Sequence, residues 1–344
     1  MKKAILILNT IKNKSFAYLT NKIEISYNLK TFYLDEMKSI TKKGIINEIN
    51  SYIKNEDIDI CFFQGDYISY IDVKFIKSIE AKKKILFSTD DFDTHEVNLI
   101  NATACDIVLS TCPASTLRFE EKILETYFVP LESDDKILKN YSTIKNNDIL
   151  FFGKIKADRK EYIDKLKLEK FKFKILGTDN SNTLSEEELA KEISNSKIIL
   201  NFSQTGKRNK FYSHKTIPLS NLQMKARPIM AGLCGSFCIS EYSPQTKMVY
   251  GDICPTFKNY GEMIDLIKKF LSDSSLLETK TKEFVELSSR YADSIYFPKI
   301  ARKINNCEVK NKIFYKTPFW YNYIFLKKSI QLFFKSIRRN YLKK

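Results

Sequence analysis

Short β-branched or aromatic runs alternate with longer amphipathic stretches from the first residues onward, and this alternation restricts the fold more than any other feature of the chain. Ala4–Leu8, Ile58–Phe63, Lys84–Phe87, Asp106–Ser110 and Tyr127–Val129 read as strands, whereas Thr41–Lys54, Tyr70–Ala81, His95–Ala102 and Ser115–Glu125 carry apolar residues at helical spacing. Strand and helix in strict alternation imply a parallel sheet with helices on both faces, an α/β fold of the doubly wound, Rossmann-like kind.

The alternation stops once. From Ser133 to Asp148 the chain is polar, rich in Asp, Asn and Lys, and has no sustained apolar period. It then restarts with strands at Ile149–Phe152, Phe171–Leu176, Lys197–Phe202 and Ser236–Ser240 and helices at Arg159–Leu168, Glu186–Ser194 and Leu219–Leu233. Tyr260–Leu271 and Leu277–Ala292 follow as helices, and Phe297–Asn305 extends the last of them. Two domains are therefore expected, residues 1–135 and 149–308, joined by a linker at 136–148 and followed by a tail at 309–344. A chain of 344 residues is long enough for two hydrophobic cores.

Seven cysteines, an odd number without a Cys-x-x-Cys pair, sit mostly in apolar runs and read as buried, reduced thiols. With only His95 and His214, the usual zinc spacings cannot be assembled, so no metal is expected. The apolar run at Ala4–Leu8 is too short for a signal-peptide core. Nowhere do about 18 apolar residues run together. A cytoplasmic protein is the expectation.

The net charge of +16 is unevenly placed. Residues 310–344 hold eight lysines, Arg338 and Arg339 and no acid, which leaves +6 for the remaining residues. Within this tail Phe319, Tyr323, Leu326, Ile330, Phe333, Ile337 and Tyr341 recur at spacings of three and four, with Lys327, Lys328, Lys335, Arg338 and Arg339 off the stripe. That pattern describes a cationic amphipathic helix. One reading lays it on an anionic inner membrane leaflet, with Trp320, Lys327, Lys328, Phe333, Arg338 and Arg339 in contact, each basic residue contributing about 1 kcal/mol. The other packs the apolar stripe against the first domain. Nucleic acid is the poorest partner, because no recognised nucleic-acid motif accompanies the charge.

Chemistry concentrates in the second domain. Gly153-Lys154 follows a strand and precedes Arg159 at a helix start, where backbone can approach a phosphate; a simple turn is the competing reading. In Gln223–Pro244, Lys225 and Arg227 precede a helix ending at Gly235, and the next strand delivers Glu241 and Tyr242. Cations suit a diphosphate, and a carboxylate suits sugar hydroxyls. His214 lies in a basic loop, Lys207–Lys215, that either lines the phosphates or is simply solvated. In the first domain the acidic stretch Ser88–Glu96 follows a strand, so Asp91 or His95 is a candidate base toward an acceptor hydroxyl; Asp93 or Thr94 as a helix cap is the alternative.

The segment Gln223–Pro244 resembles the CgeB-like, spore-maturation type glycosyltransferases, whose pattern reads approximately Q-I-K-G-R-x-F-E-x-x-x-C-G-x-F-L-L-T-E-Y-S-P. Gln223, Lys225, Arg227, Cys234, Gly235, Phe237, Glu241, Tyr242, Ser243 and Pro244 coincide with it without a gap. Phe151–Leu168 and Ser196–Ser203 are similar to further parts of the family, as are Leu86–Asp91 and Cys105–Ser110. The resemblance implies a GT-B architecture of two Rossmann-like domains facing a cleft. It implies a sugar-nucleotide donor, for which Gly153, Lys154, Arg159, His214, Lys225, Arg227, Gly235, Glu241 and Tyr242 are the candidate binding residues, and transfer with retention to a surface-glycan, lipid-linked or protein acceptor. No metal is needed in that scheme, because fixed cations and a helix N-terminus can stabilise the leaving diphosphate. One departure stands out: Ile229-Met230 replaces the family's Phe-Glu. Either Glu241 or another residue substitutes for that Glu, or the donor differs, or the chain binds without catalysing.

Overall fold

The computed structural model describes residues 1–9, 17–39, 41–65, 71–89, 91–121, 125–155, 159–177, 184–203, 222–308, 317–323, 325–327, 330 and 334, with 17 and 91–94 through their backbone only. The chain divides into two compact units, and the boundary on the carboxyl side falls after Tyr296.

The first unit comprises β1 (Lys2–Leu8), α1 (Ala17–Glu24), β2 (Tyr27–Tyr33), α2 (Lys42–Glu56), β3 (Ile60–Gly65), α3 (Val73–Ser78), β4 (Lys83–Ser88), α4 (Asp91–Ala102), β5 (Ile107–Ser110), α5 (Pro113–Glu120) and β6 (Glu125–Phe128). Its six strands run parallel in the order β2-β1-β3-β4-β5-β6. Strand β3 is buried along its whole length, and β1 and β4 are buried beyond their first residues, because helices cover both faces. Helix α2 shows how the sequence produces this packing. Thr41 caps its start by accepting from the Gly44 N–H, and Ile45, Ile49 and Ile53, four apart, form its buried stripe. Each such side chain contributes about 1.5–3 kcal/mol by leaving water.

The second unit comprises β7 (Asn147–Phe152), α6 (Arg159–Leu166), β8 (Phe173–Leu176), α7 (Glu186–Ser194), β9 (Ser196–Asn201), α8 (Arg227–Leu233), β10 (Phe237–Glu241), α9 (Pro244–Tyr250), β11 (Thr256–Phe257), α10 (Tyr260–Ser272) and α11 (Ser274–Ser289). Its strands are parallel in the order β11-β10-β9-β7-β8. The strand order reverses between β7 and β9, which is where doubly wound sheets open a crevice at their carboxyl edge.

Helix α12 (Asp293–Asn306) crosses the unit boundary. Where the sequence reading ends the second domain at 308, the contacts assign the chain from Phe297 onward to the first unit. Tyr27 donates to the Ala301 carbonyl at 3.3 Å, and Lys83 Nζ donates to the carbonyls of Ile304 and Asn305 at 2.7 and 3.1 Å. The lysine thus satisfies carbonyls that a helix end leaves without partners.

Several elements differ from the sequence reading. Strand β2, helix α1, helix α9 and the two-residue β11 were not foreseen. The polar positions of β2, an edge strand with one fully buried residue at Tyr27, obscure its period. Helix α8 begins at Arg227 rather than Leu219: residues 219–221 lie outside the described residues, 222–226 are not helical, and Pro228, lacking an N–H, fits only the first turn. The acidic stretch expected as a loop is helical from Asp91, so Asp93 and Thr94 lie in the first turn of α4 rather than at its cap. All seven cysteines are free thiols, six of them buried. Among the described residues no helix is long and apolar enough to cross a membrane.

Candidate functional site

The carboxyl ends of β7, β9 and β10 bring together most of the residues singled out in the second domain. Phe152 ends β7, and Gly153 follows it with φ +111, a conformation that L side chains rarely adopt. Asn201 ends β9, and Glu241 ends β10. Arg227 reaches this edge from the first residue of α8.

Arg227 occupies the β7/β9 crevice itself. Its Nε donates to the Phe152 carbonyl at 2.7 Å, and its Nη1 donates to Asn201 Oδ1 at 3.4 Å. The guanidinium also lies over the rings of Phe151 and Phe152, at 5.3 and 5.4 Å from their centroids. A Cβ on Gly153 would fall 2.4 Å from Nη2, so the glycine is what admits the cation. Burial, with Arg159 nearby, lowers the Arg227 pKa to about 10; Glu132 acts in the opposite sense.

Arg159 is buried at the start of α6, and its Nη1 donates to the Lys154 carbonyl at 3.3 Å. Burial also lowers its pKa, and Glu241 raises it. For both arginines burial outweighs the carboxylates that reach them. An anion placed between them would relieve that cost, which makes the edge suited to phosphate.

Glu241 is held rather than loose. Its Oε2 accepts from the Ser203 N–H at 2.8 Å, and its carbonyl accepts from the hydroxyls of Ser203 and Ser240, each at 2.8 Å. Asn201 Nδ2 donates to Ser240 Oγ at 2.8 Å. Lys225 is partly exposed just before α8, its Nζ donating to Gln223 Oε1 at 2.9 Å. Tyr242 follows Glu241, with Lys258 Nζ 5.3 Å from its ring centroid. Lys154 is exposed beside Gly153.

Gly235 does not join this group. It precedes β10, so in a parallel sheet it lies at the opposite, amino edge, about 17 Å away along five strand residues. There it ends α8: with φ +76 its N–H bonds the Gly232 carbonyl, and the Ser236 N–H bonds the Ala231 carbonyl, the paired bonds of a Schellman motif. Met230, where the resemblance expects Glu, is buried in the middle of α8.

In the first unit, Asp91 opens α4 directly after β4, at the carboxyl edge of that sheet. His95 is different: it is buried one turn later, its ring centroid 4.6 Å from that of Phe119 on α5. An acceptor base has to reach its substrate, and this ring is 3% exposed against Phe119, so this structure does not present His95 at the surface. His214, Lys328, Phe333, Arg338 and Arg339 lie outside the described residues, as does the basic loop around His214.

Sequence reasoning passed over Asn201, Ser203 and Ser240. Their signal was present as polar residues at the carboxyl ends of two apolar runs, Asn201 and Ser203 after Ile198–Leu200 and Ser240 after Phe237–Ile239.

Residues 159–287 match the glycosyl transferase-like family. The match begins at Arg159 and takes in Lys225, Arg227, Glu241 and Tyr242. No curated protein matches the sequence. Among solved structures, the sucrose-phosphate synthase of Thermosynechococcus elongatus is similar at 11% identity and TM-score 0.61, over 90% of this chain and 100% of that one. A glycosyltransferase from Rickettsia africae gives 11% identity and TM-score 0.56, over 89% and 100%. S. aureus MnaA bound to UDP gives 10% identity and TM-score 0.57, over 92% and 100%. The fold is α/β of the GT-B class, with two Rossmann-like parallel sheets.

Proposed function

We propose that the chain is a glycosyltransferase of the CgeB-like type. It takes a nucleoside-diphosphate sugar at the carboxyl edge of the second unit's sheet and delivers the sugar to a hydroxyl of a surface-glycan, lipid-linked or protein acceptor. The observation that carries this reading is Arg227 seated across the β7/β9 crevice beside the buried Arg159, within the segment that matches the glycosyl transferase-like family. In this scheme Arg227, Arg159, Lys225 and the Gly153-Lys154 turn stabilise the diphosphate as it leaves, so fixed cations do what a metal ion does elsewhere. Glu241, oriented by Ser203, accepts hydroxyls of the donor. Asp91 is the candidate base toward the acceptor, and transfer proceeds with retention. The enzyme works in the cytoplasm, and its basic carboxyl-terminal segment attaches it peripherally to an anionic inner leaflet.

UDP is the first nucleotide to test, since one structural neighbour holds it. Thermal stabilisation by UDP or another nucleoside diphosphate, lost in Lys225→Ala, supports the donor site. Release or transfer of sugar from the matching nucleotide sugar then establishes the enzyme. Absence of both across the common nucleotide sugars overturns the reading.

A second reading has one observation in its favour. Met230 is an apolar, buried residue where the resemblance places a carboxylate, which fits a member that binds a nucleotide or glycan without transfer. Binding without turnover selects it.

A further inference from the structure

The described part of the carboxyl-terminal segment is helical at 319–323 and 325–327 and again at 330 and 334, and its two sides have opposite fates. Tyr321 and Phe325, four residues apart, are 1% and 3% exposed and belong to the hydrophobic core of the first unit. The Tyr321 hydroxyl accepts from the Val73 N–H at 2.7 Å and donates to Asn101 Oδ1. Trp320 is partly buried against the same core. Phe319, Tyr323, Leu326, Ile330 and Phe334, at spacings of four, three, four and four, are between 48% and 85% exposed. The described residues of the stripe that sequence periodicity marks as apolar, Phe319, Tyr323, Leu326 and Ile330, thus face outward, and the two residues that hold the helix down lie off it.

A second feature adjoins the same place. Lys42, Lys43, Ile46, Lys74 and Ser78 line a shallow depression of about 420 Å³ between α2 and α3. Lys42 Nζ bonds Asp72, the residue that caps α3, at 2.6 Å, and Tyr321 bonds the next residue, Val73. The depression and the docked helix therefore meet at one helix start.

We infer that the exposed Phe319/Tyr323/Leu326/Ile330 face is a lipid-binding surface that inserts at the level of the headgroups of an anionic membrane, while Tyr321 and Phe325 keep the helix fixed to the first unit. Exposed aromatic and aliphatic side chains at helical spacing, in a segment with ten cations and no acid from 310 to 344, match an anionic interface. A second protein chain would have to bury that uncompensated charge, whereas a leaflet of anionic headgroups neutralises it. The inference rests on the reading of the basic segment as membrane-directed, and adds which residues enter the lipid and which do not. Trp320, expected from the sequence to touch the membrane, belongs on the protein side.

The test is flotation of the full-length protein with vesicles of phosphatidylcholine alone and with added phosphatidylglycerol, comparing wild type with Phe319→Ser/Tyr323→Ser/Leu326→Ser. Wild type should float with the anionic vesicles only. The triple variant should bind at least about a hundredfold more weakly, as three large apolar side chains no longer enter the interface. Emission of Trp320, the chain's one tryptophan, should match wild type in the variant, because the helix stays docked. Wild-type binding to neither vesicle overturns the membrane reading as a whole. Equal anionic binding by the variant overturns only the assignment of this face, leaving charge as the sole attachment. A wild-type dimer that the variant abolishes, without vesicle binding, identifies the face as a self-interface and overturns the inference.

Discussion

Arg227 Nε donates to the carbonyl oxygen of Phe152 over 2.7 Å, so the last residue of β7 is tied to the first residue of α8 across the point where the strand order reverses. The bond places a cation where a doubly wound sheet opens toward a ligand, and it does so only because the next residue is Gly153.

Gly153→Ala should therefore fail twice. Its φ of +111 strains any L residue, at about 1–3 kcal/mol, and the new methyl would displace Nη2, now 2.4 Å from its position. Urea denaturation should show the stability loss, and calorimetric titration should show nucleoside diphosphate binding weakened. An unchanged midpoint and affinity would mean that the guanidinium has room to move and that the glycine marks a turn alone.

At the other edge of that sheet, Lys145 Nζ donates to the carbonyls of Ser194 and Gly235 and to Ser236 Oγ at 2.7–3.1 Å. Burial pushes its pKa down to about 8. In the unfolded chain the amine returns to about 10.4, so between these values the unfolded state holds a proton that the folded state has released. Stability should rise as pH increases from about 8 toward 10, and below pH 8 this contribution should be flat. Urea midpoints across pH 7–9.5 should show a positive slope that Lys145→Met removes. The same slope in the variant would assign it to other groups.

The parallel sheets were legible in the sequence because every central strand is a continuous apolar run bounded by polar residues, as Ile60–Phe63 and Ile198–Leu200 show. Edge strands were not: β2 interleaves Asn28, Lys30 and Thr31 with its apolar residues, and β11 has two residues. Lys225, Arg227 and Glu241 were singled out through their charges, and the structure places Arg227 and Glu241 at the carboxyl edge of the second sheet. Gly235 was misplaced because a segment contiguous in sequence was taken as contiguous in space, although the five residues of β10 carry it from one sheet edge to the other. In the basic segment, periodicity marks an apolar stripe but cannot say which face a docked helix buries. Tyr321 and Phe325 decide that, through Asn101, Val73 and a core more than 200 residues away in sequence.

Tyr321→Phe should loosen that docking. The substitution keeps the ring in the core but leaves the Val73 N–H and Asn101 Oδ1 without the hydroxyl that joins them, a loss of about 1–3 kcal/mol. The denaturation midpoint should fall, and protease should cut the basic segment faster while donor binding by the second unit stays as in wild type. Resistance equal to wild type would show that the ring alone anchors the helix.

Glu241→Gln should separate binding from turnover. Oε1 of the glutamine can still accept from the Ser203 N–H, now bonded at 2.8 Å to the carboxylate, so the end of β10 should keep its place and the melting temperature should change little. The charge beside Arg159 disappears, however, and with it the only carboxylate found to raise that arginine's pKa among the described residues. A site with one anion fewer attracts a diphosphate more strongly, and UDP affinity should hold or increase a few-fold. A neutral amide is a weaker acceptor for a donor hydroxyl, and the lost charge-assisted bond, about 1.5–3 kcal/mol, should slow sugar transfer or hydrolysis roughly 10–100-fold. Titration calorimetry with UDP and a turnover assay with the nucleotide sugar read the two effects separately. If affinity, turnover and melting temperature all fall together, Glu241 holds the strand ends in place and has no separate part in recognising the donor.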